Sequence, residues 1–453
     1  MDNATSMPSR WEEAQSLLGL AIPVIGAQIA QMSMSLVDTV MAGHLGKEAL
    51  AAIGLGSAIW MPYLLFLIGT LMSVAPNVAQ RFGAGDSPGV GHQVRQGMWL
   101  AAVTGLVGCG LVQLSGPLLR RLLGEGPLTQ TTIDFLQAIA WGLPALSGMT
   151  VLRGYTEGVS RTQPVLWVSA LGLATNIAGN WILMYGRYGF PKLGAVGCGW
   201  ASATASWLMF LTLAAYLLTH SAYRPFETFR RFVGPDLKEL AALLRLGLPI
   251  GVTMMLEGGL CLMVALGMQR FGETALAANQ VALNVSGLTF MVPLGIHTAI
   301  AVRVGQAIGG GRPEEAQQAG LVGMGLAMAC MACSGLILCL IPDRIAAFYT
   351  SEAAVIVLAI PLLQRAALFQ LADGLQVASH GALRGAKDTF VPTLITIIAY
   401  WLIAVPLGYV LGFPAGLGPN GIWNGLVTGL TVAAALLCWR FHRVIRRSVA
   451  AAE

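Results

Sequence analysis

AIPVIGAQIAQMSMSLVDTVMAG, residues 21–43, is apolar except for Gln, Ser and Thr, and yet it holds the carboxylate of Asp38. A run of this length matches the ~20 residues that a helix needs to cross a ~30 Å hydrocarbon core. Similar runs recur at 16–42, 50–76, 96–117, 131–152, 163–185, 196–219, 240–268, 275–301, 318–341, 352–379, 391–411 and 422–439. They predict an all-α integral membrane protein of twelve transmembrane helices. Composition agrees: of 453 residues, 56% are hydrophobic and 10% charged, with a mean hydropathy of +0.70. A soluble domain carries about 25% charged residues. Little chain is left for a soluble domain, because the longest connection, roughly 220–239, is short and basic.

The first run is too long for a cleavable signal and lacks a basic leader and a small-residue cleavage site, so it is expected to stay as a helix. All seven cysteines (109, 198, 261, 330, 333, 339, 438) fall in apolar runs. They read as small core hydrophobes, not disulfides or metal ligands. The net charge of +5 follows from where the cations sit. With a cytoplasmic N-terminus, inside segments hold seventeen Lys and Arg, including Arg230 and Arg231, and outside segments hold seven: Lys47, Arg120, Arg121, Arg187, Lys192, Arg270 and Arg344. Arg245 and Arg365 lie in spans. This asymmetry predicts that both termini face the cytoplasm.

The opening stretch has a second copy. Shifted by 226 residues, AIPVIGAQ (21–28) meets GLPIGVTM (247–254), with Pro23 on Pro249. HLGKEALAA (44–52) meets RFGETALAA (270–278), and NVAQRFGAGDS (77–87) meets RVGQAIGGGRP (303–313). Similar apolar helices arise by chance, but loops that match at one offset do not. Farther on, LGAVGCGWAS (193–202) meets LGPNGIWNGL (417–426) at 224. The expected organisation is two six-helix lobes, 1–225 and 226–453. Six spans are an even number, so the lobes are parallel repeats related by a pseudo-twofold axis along the membrane normal, with a cavity expected between them.

Ionisable groups inside spans cost roughly 2.5–3.5 kcal/mol at a helix centre, so they face protein or water. Three acids qualify. Glu257 lies twelve residues from Arg245 and thirteen from Arg270; Asp373 lies eight from Arg365 and eleven from Arg384. Both are deep. Asp38 precedes Gly43 by five residues, so the plainer reading of an interfacial aspartate stays open for it. At the 226 offset Glu257 corresponds to Gln31 and Asp38 to Val264: the scaffold is duplicated and the acids are not. Positions 31 and 38, like 257 and 264, are nearly two helical turns apart and share one face. Asn176 and Asn180, with Ser202 and Thr204, could complete a hydrogen-bonding or cation-coordinating network at Asp38, or serve as ordinary interhelical hydrogen bonds. Gln28, Gln280, Asn284 and His297 carry the same two readings. Nineteen Met and eleven Trp suit adaptable binding of flat apolar ligands, although Met also fills cores.

These residues carry a family resemblance. SLVDTVMAGHLGKEALAAIGLG in the first two spans, PNVAQRFGAGD, the in-span Glu257, and LADGLQVASHGALRGAKDT around Asp373 resemble the NorM branch of the multidrug and toxic compound extrusion (MATE) family, over essentially the whole chain. The resemblance implies export of cationic, lipophilic drugs or dyes in exchange for inward Na⁺ or H⁺. It makes Glu257 and Asp373 candidates for a C-lobe cation site, with Na⁺ among the ions considered, and Asp38 with Asn176 and Asn180 the N-lobe candidate. Thr204 and Gln280 are candidate supporting polar groups. A tyrosine that some members carry one turn before the C-lobe aspartate is Phe369 here, which removes one oxygen ligand.

A lipid-linked oligosaccharide flippase of related two-lobed fold is the alternative, but it should line its path with arginine, whereas the in-span charges here are mostly acidic. No G-x-S-x-G, H-E-x-x-H, D-D-x-x-D or Walker loop is present, so neither an enzyme nor an ATP-driven pump is expected. The expectation is a monomeric carrier in the bacterial inner membrane that uses no cofactor and binds no nucleic acid.

Overall fold

A computed structural model describes residues 7–228 and 233–450; Arg230 and Arg231 lie outside the described residues. The described chain is helical throughout, without strands. The first repeat supplies α1 (Arg10–Leu45), α2 (Lys47–Leu71), α3 (Val74–Gly83), α4 (Ser87–Leu114), α5 (Gly116–Leu123), α6 (Pro127–Ala140), α7 (Leu143–Gly158), α8 (Gln163–Leu183) and α9 (Ala195–Thr219). The second supplies α10 (Leu237–Gln269), α11 (Glu273–Gly309), α12 (Pro313–Leu340), α13 (Pro342–Tyr349), α14 (Ala353–Gly385), α15 (Phe390–Thr396), α16 (Val405–Gly412) and α17 (Pro419–Ala450). Eleven described helices, counting α2 with α3 and α15 with α16 as single spans, are long and apolar enough to cross a membrane. The bent pair α6–α7, at 44°, makes twelve.

The 226-residue offset recurs in the helix boundaries. α4 and α12 begin at 87 and 313 and end at 114 and 340; α5 and α13 begin at 116 and 342 and end at 123 and 349. Prolines at both helix starts contribute to this, although only α4 has a side-chain cap. Pro88 and Pro313 stand in the first turns, where a missing N–H costs nothing, and the Asp86 side chain accepts the Gly89 amide at 2.9 Å. Local geometry is less symmetric than the boundaries. The break after α2 and the bend between α6 and α7 have unbroken counterparts in α11 and α14, whereas α8 runs straight where the second repeat turns π-helical at Ile397–Ala404. The basic connection after α9 is not all loop: Ser221–Phe226 forms a 3₁₀ turn.

Contacts divide the chain into two compact units. Gly26–Gly251 form one; residues up to Ile25 and from Val252 onward form the other. The chain passes between them twice, each time inside an unbroken helix and two residues beyond a proline, at Pro23 in α1 and Pro249 in α10. Leu17, Leu20 and Ala21 are therefore buried in the same core as Ile296 and Ile300, and Leu243 in the core of the other unit. An ion pair anchors each segment, the first more buried than the second. Glu13, 1% exposed, accepts from Arg303 Nε at 2.9 Å; Glu239, its counterpart 226 residues on, accepts from Arg81 at 3.3 Å.

Large apolar side chains point outward along many helices, among them Leu106, Leu111, Leu114, Trp167, Leu336 and Leu402. On a membrane protein such a surface meets lipid. All seven cysteines are free; Cys109 and Cys198 are buried, whereas Cys261, Cys333 and Cys339 are exposed and are not core residues.

Candidate functional site

In the unit Gly26–Gly251, three helices converge on Asp38. Asn180, on α8, donates to its Oδ1 at 2.6 Å, and Ser202, on α9, donates to its Oδ2 at 3.3 Å. Asn176, one turn before Asn180, donates to Ser202 Oγ at 3.2 Å, and its own Oδ1 accepts from Asn180 at 3.3 Å. Both asparagines are fully buried. The i,i+4 spacing puts both amides on one face of α8, and Gly179 against Ala201 lets α9 approach. Cys198 lies beside the carboxylate as well. The Asn180 Oδ1 oxygen is buried without a partner among the described residues, so the cluster keeps one acceptor for an incoming donor or cation. Thr204 does not join it: the side chain is exposed, and its hydroxyl donates back to the Trp200 carbonyl at 2.8 Å.

In the other unit, Glu257 on α10 accepts from Gln376 Nε2 on α14 at 3.2 Å, and Gln376 Oε1 accepts from the Tyr400 hydroxyl at 2.6 Å. Tyr400 sits in the π-helical stretch, a geometry found often at functional sites. Asp373, one turn before Gln376, is 6% exposed, lies within electrostatic reach of Glu257, and forms no hydrogen bond at its carboxylate among the described residues. Farther along α14 His380 bonds Thr396 at 3.2 Å, and His297 Nδ1 meets the Val377 carbonyl at 2.8 Å while its Nε2 has no partner among the described residues. Phe369 packs edge-on against Trp423, with ring centroids 5.8 Å apart.

Gln280 and Asn284 are exposed; the neighbouring Asn279 is buried and accepts from Trp423 at 3.1 Å. Gln28 accepts from Arg153 at 3.1 Å, which pairs with Glu157 at 2.7 Å. Sequence reasoning missed Gln376 and Tyr400. Gln376 was detectable as an amide three residues after Asp373 on the same helical face. For Tyr400 the signal was thinner: a single hydroxyl in IIAYWLIA.

The model for the MatE family matches residues 23–182 and 249–410, two blocks that begin at Pro23 and Pro249. The chain belongs to the MatE family. Among relatives of this MatE protein are the multidrug resistance protein PmpM of Pseudomonas aeruginosa, 42% identical over 96% of this chain and 93% of that one, and the multidrug resistance protein MdtK of Yersinia pestis, 39% identical over 95% of each. Solved MATE structures share the fold. A MATE protein in a bent conformation superposes with a TM-score of 0.89 at 21% identity over 98% of each chain, and the eukaryotic MATE transporter AtDTX14 with 0.85 at 19% over 98% of this chain and all of that one.

The two polar groups proposed around Asp38 separate cleanly by experiment. Asn180→Ala removes the 2.6 Å donor and leaves a carboxylate poorly satisfied, whereas Thr204→Ala removes only a bond to its own helix. A hydrogen bond to a charged group is worth roughly 1.5–3 kcal/mol. Drug efflux in Asn180→Ala is therefore expected to fall at least about tenfold, while Thr204→Ala tracks wild type. Equal losses in both would detach the asparagine from the acid.

Proposed function

We propose that this MatE protein is a secondary active multidrug antiporter, exporting cationic lipophilic compounds from the cytoplasm in exchange for inward Na⁺ or H⁺. The observation that carries this reading is the placement of three carboxylates within membrane-spanning helices, each unit building its own amide-lined cluster and neither copying the other's acid positions. An intramembrane carboxylate is neutralised either by a proton or by a bound cation. Coupling ion and cationic drug can then compete for one charge, and exchange follows from that competition under alternating access. In the C-terminal cluster, Glu257 and Asp373 supply anionic oxygens that would hold Na⁺ or a proton, and Gln376 with Tyr400 fixes the rotamer of Glu257. Phe369 supplies no oxygen there, which leaves the choice of ion to the two acids and their neighbours.

The relatives' names support drugs as cargo, and their bacterial sources support the inner membrane as location. The distribution of Lys and Arg supports a cytoplasmic location for both termini. The chain acts as a monomer without cofactor or nucleic acid. The flippase alternative is disfavoured because the intramembrane charges are acids rather than cation rings for pyrophosphate.

Purified protein in liposomes, given a Na⁺ gradient alone, a pH gradient alone, or neither, tests the reading with a fluorescent cation as cargo. Uphill movement of the dye under one gradient and none without is expected. Dissipation of the ion gradient without dye counterflow would show a leak and overturn antiport.

A further inference from the structure

Arg365 is a cation inside a membrane-spanning helix, and neither carboxylate cluster uses it. It stands half-buried on α14, where its Nε donates to Asn424 Oδ1 on α17 at 3.1 Å and its Nη1 donates to the Pro361 carbonyl at 2.9 Å. Both acceptors are neutral. Among the described residues Nη2 has no partner and no acid pairs with the guanidinium. Asp373, eight residues deeper, has Glu257 and not Arg365 within electrostatic reach, and Glu352 lies thirteen residues the other way, about 20 Å of helix. Of the undescribed residues only Asp2 and Glu453 are acids. Glu453 follows α17, whose last residue is 26 positions, about 39 Å of helix, from Asn424. Asp2 precedes Pro8, whose carbonyl accepts from Gln318 near the start of α12, at the opposite end of the unit from the starts of α14 and α17. The chain therefore brings no anion to this guanidinium.

Depth and surroundings say which anion fits. Asn424 lies five residues into α17, about 7.5 Å from its start at Pro419, and Arg365 is level with it. A headgroup layer is roughly 5–7.5 Å thick on each side of the hydrocarbon core, so the guanidinium sits where lipid phosphates meet acyl chains. Gln370 and Val377 of α14 face α11, through Thr289 and His297. Leu368 points about 200° away from Gln370 and is 57% exposed, and Val357 and Gln364 are exposed on that same outer face, which Arg365 borders. One turn nearer the start of α17, Asn420 shares the face of Asn424, and its amide makes no hydrogen bond among the described residues. Read inward from the helix ends, the order is a free amide, a guanidinium and an apolar strip. A phospholipid has the same order in its headgroup, phosphate and acyl chains.

We propose that Arg365 binds the phosphodiester of a singly anionic phospholipid with a hydroxylated headgroup, of the phosphatidylglycerol kind, with its hydroxyls on Asn420 and its acyl chains along Leu368. The planar fork of the guanidinium keeps Nη2 for a phosphate oxygen while Nε and Nη1 stay on their protein acceptors. No carboxylate is at hand to receive the amine of a zwitterionic headgroup, which sets the preference. The bound lipid bridges α14 and α17 in the leaflet that the charge distribution makes extracytoplasmic. No step of ion or drug movement passes through it, so the site stands apart from the antiport reading.

Native mass spectrometry of the full chain released from nanodiscs with equal phosphatidylethanolamine, phosphatidylcholine and phosphatidylglycerol tests this. Basic residues elsewhere also attract anionic lipid, so the reading is a difference between proteins. Wild type is expected to carry one phosphatidylglycerol more than Arg365→Gln, with occupancy of that one site lowered about tenfold in the variant, as for loss of a charge-assisted hydrogen bond. Adducts of the two zwitterionic lipids stay the same in both. Asn420→Asp keeps the bonds of Arg365 to Asn424 and Pro361 and sets a competing anion one turn from them, so it should lose the same lipid even if Arg365→Gln fails to fold. Equal phosphatidylglycerol counts in wild type and in whichever of these variants folds, or loss of a zwitterionic lipid instead, overturns the proposal. Displacement of the lipid by free glycerol phosphate at equal concentration would keep the phosphate chemistry and overturn the membrane lipid as its source.

Discussion

Asp373→Asn is expected to abolish ion-driven drug accumulation while leaving the protein folded, and to raise its melting temperature in detergent. The carboxylate is 6% exposed, accepts no hydrogen bond among the described residues and faces the charge of Glu257. An amide of the same shape removes that repulsion. Buried charges held without partners cost stability, so a site that keeps one does so for function. One elementary charge moving inward across 100 mV is worth ~2.3 kcal/mol. Converted at ~1.4 kcal/mol per tenfold, a coupled transporter holds its drug ~40-fold from electrochemical equilibrium. In the variant that ratio collapses towards one. Energised vesicles loaded with a fluorescent cation give the ratio directly, and a thermal melt of the same sample gives the stability. Unchanged accumulation in Asp373→Asn removes this acid from coupling, whatever the melt shows.

The second large effect is structural. Gly69→Val is expected to destroy the folded state, whereas Gly54→Val on the same helix is tolerated. A Cβ on Gly69 would lie 2.6 Å from the Gly251 Cα and 3.0 Å from the Ile250 carbonyl oxygen, all main-chain atoms that cannot rotate away. A Cβ on Gly54 meets nothing within 4 Å. The contact seats the first half of α10 on α2 backbone to backbone, as small residues do where membrane helices approach closely. Overpacking against side chains costs about 1–3 kcal/mol; against main chain the helices must separate, and the cost exceeds that range. Size-exclusion profiles and melts of the two valine variants decide the matter. A Gly69→Val protein that elutes and melts as wild type does would show that the two helices are not held there.

The sequence made the architecture readable at two levels. Hydropathy located the spans because lipid demands continuous apolar surface, and the 226-residue repeat was visible because its loops matched along with its helices. The clustering of Asp38 with Asn180 and Ser202 could be anticipated from face and depth. Thr204 could not be separated from Ser202, since two residues along a helix turn a side chain through about 200° and only the packing of α9 says which one points inward. Tyr400 was hidden for another reason. Periodicity arguments assume 3.6 residues per turn, and IIAYWLIA winds as a π-helix, which shifts which side chains share a face. Hydropathy also marks Leu17 in α1 and Leu243 in α10 as apolar, but not against which partner each is buried. Leu17 and Leu243 look alike in sequence and lie in different cores.

That last difference bears on how such a chain can be assembled. Because residues up to Ile25 are packed with those from Val252 onward, and Leu237–Gly251 with the first repeat, neither half of the sequence contains a whole unit. A chain severed in the connection after α9 yields two fragments, each missing the helical segment that the other carries. A free-standing ancestor of one repeat would have exposed the seat of its own first helix and offered that helix to a second copy. Such an ancestor closes its cores only as a swapped dimer, a pairing that the fused chain now keeps within one molecule.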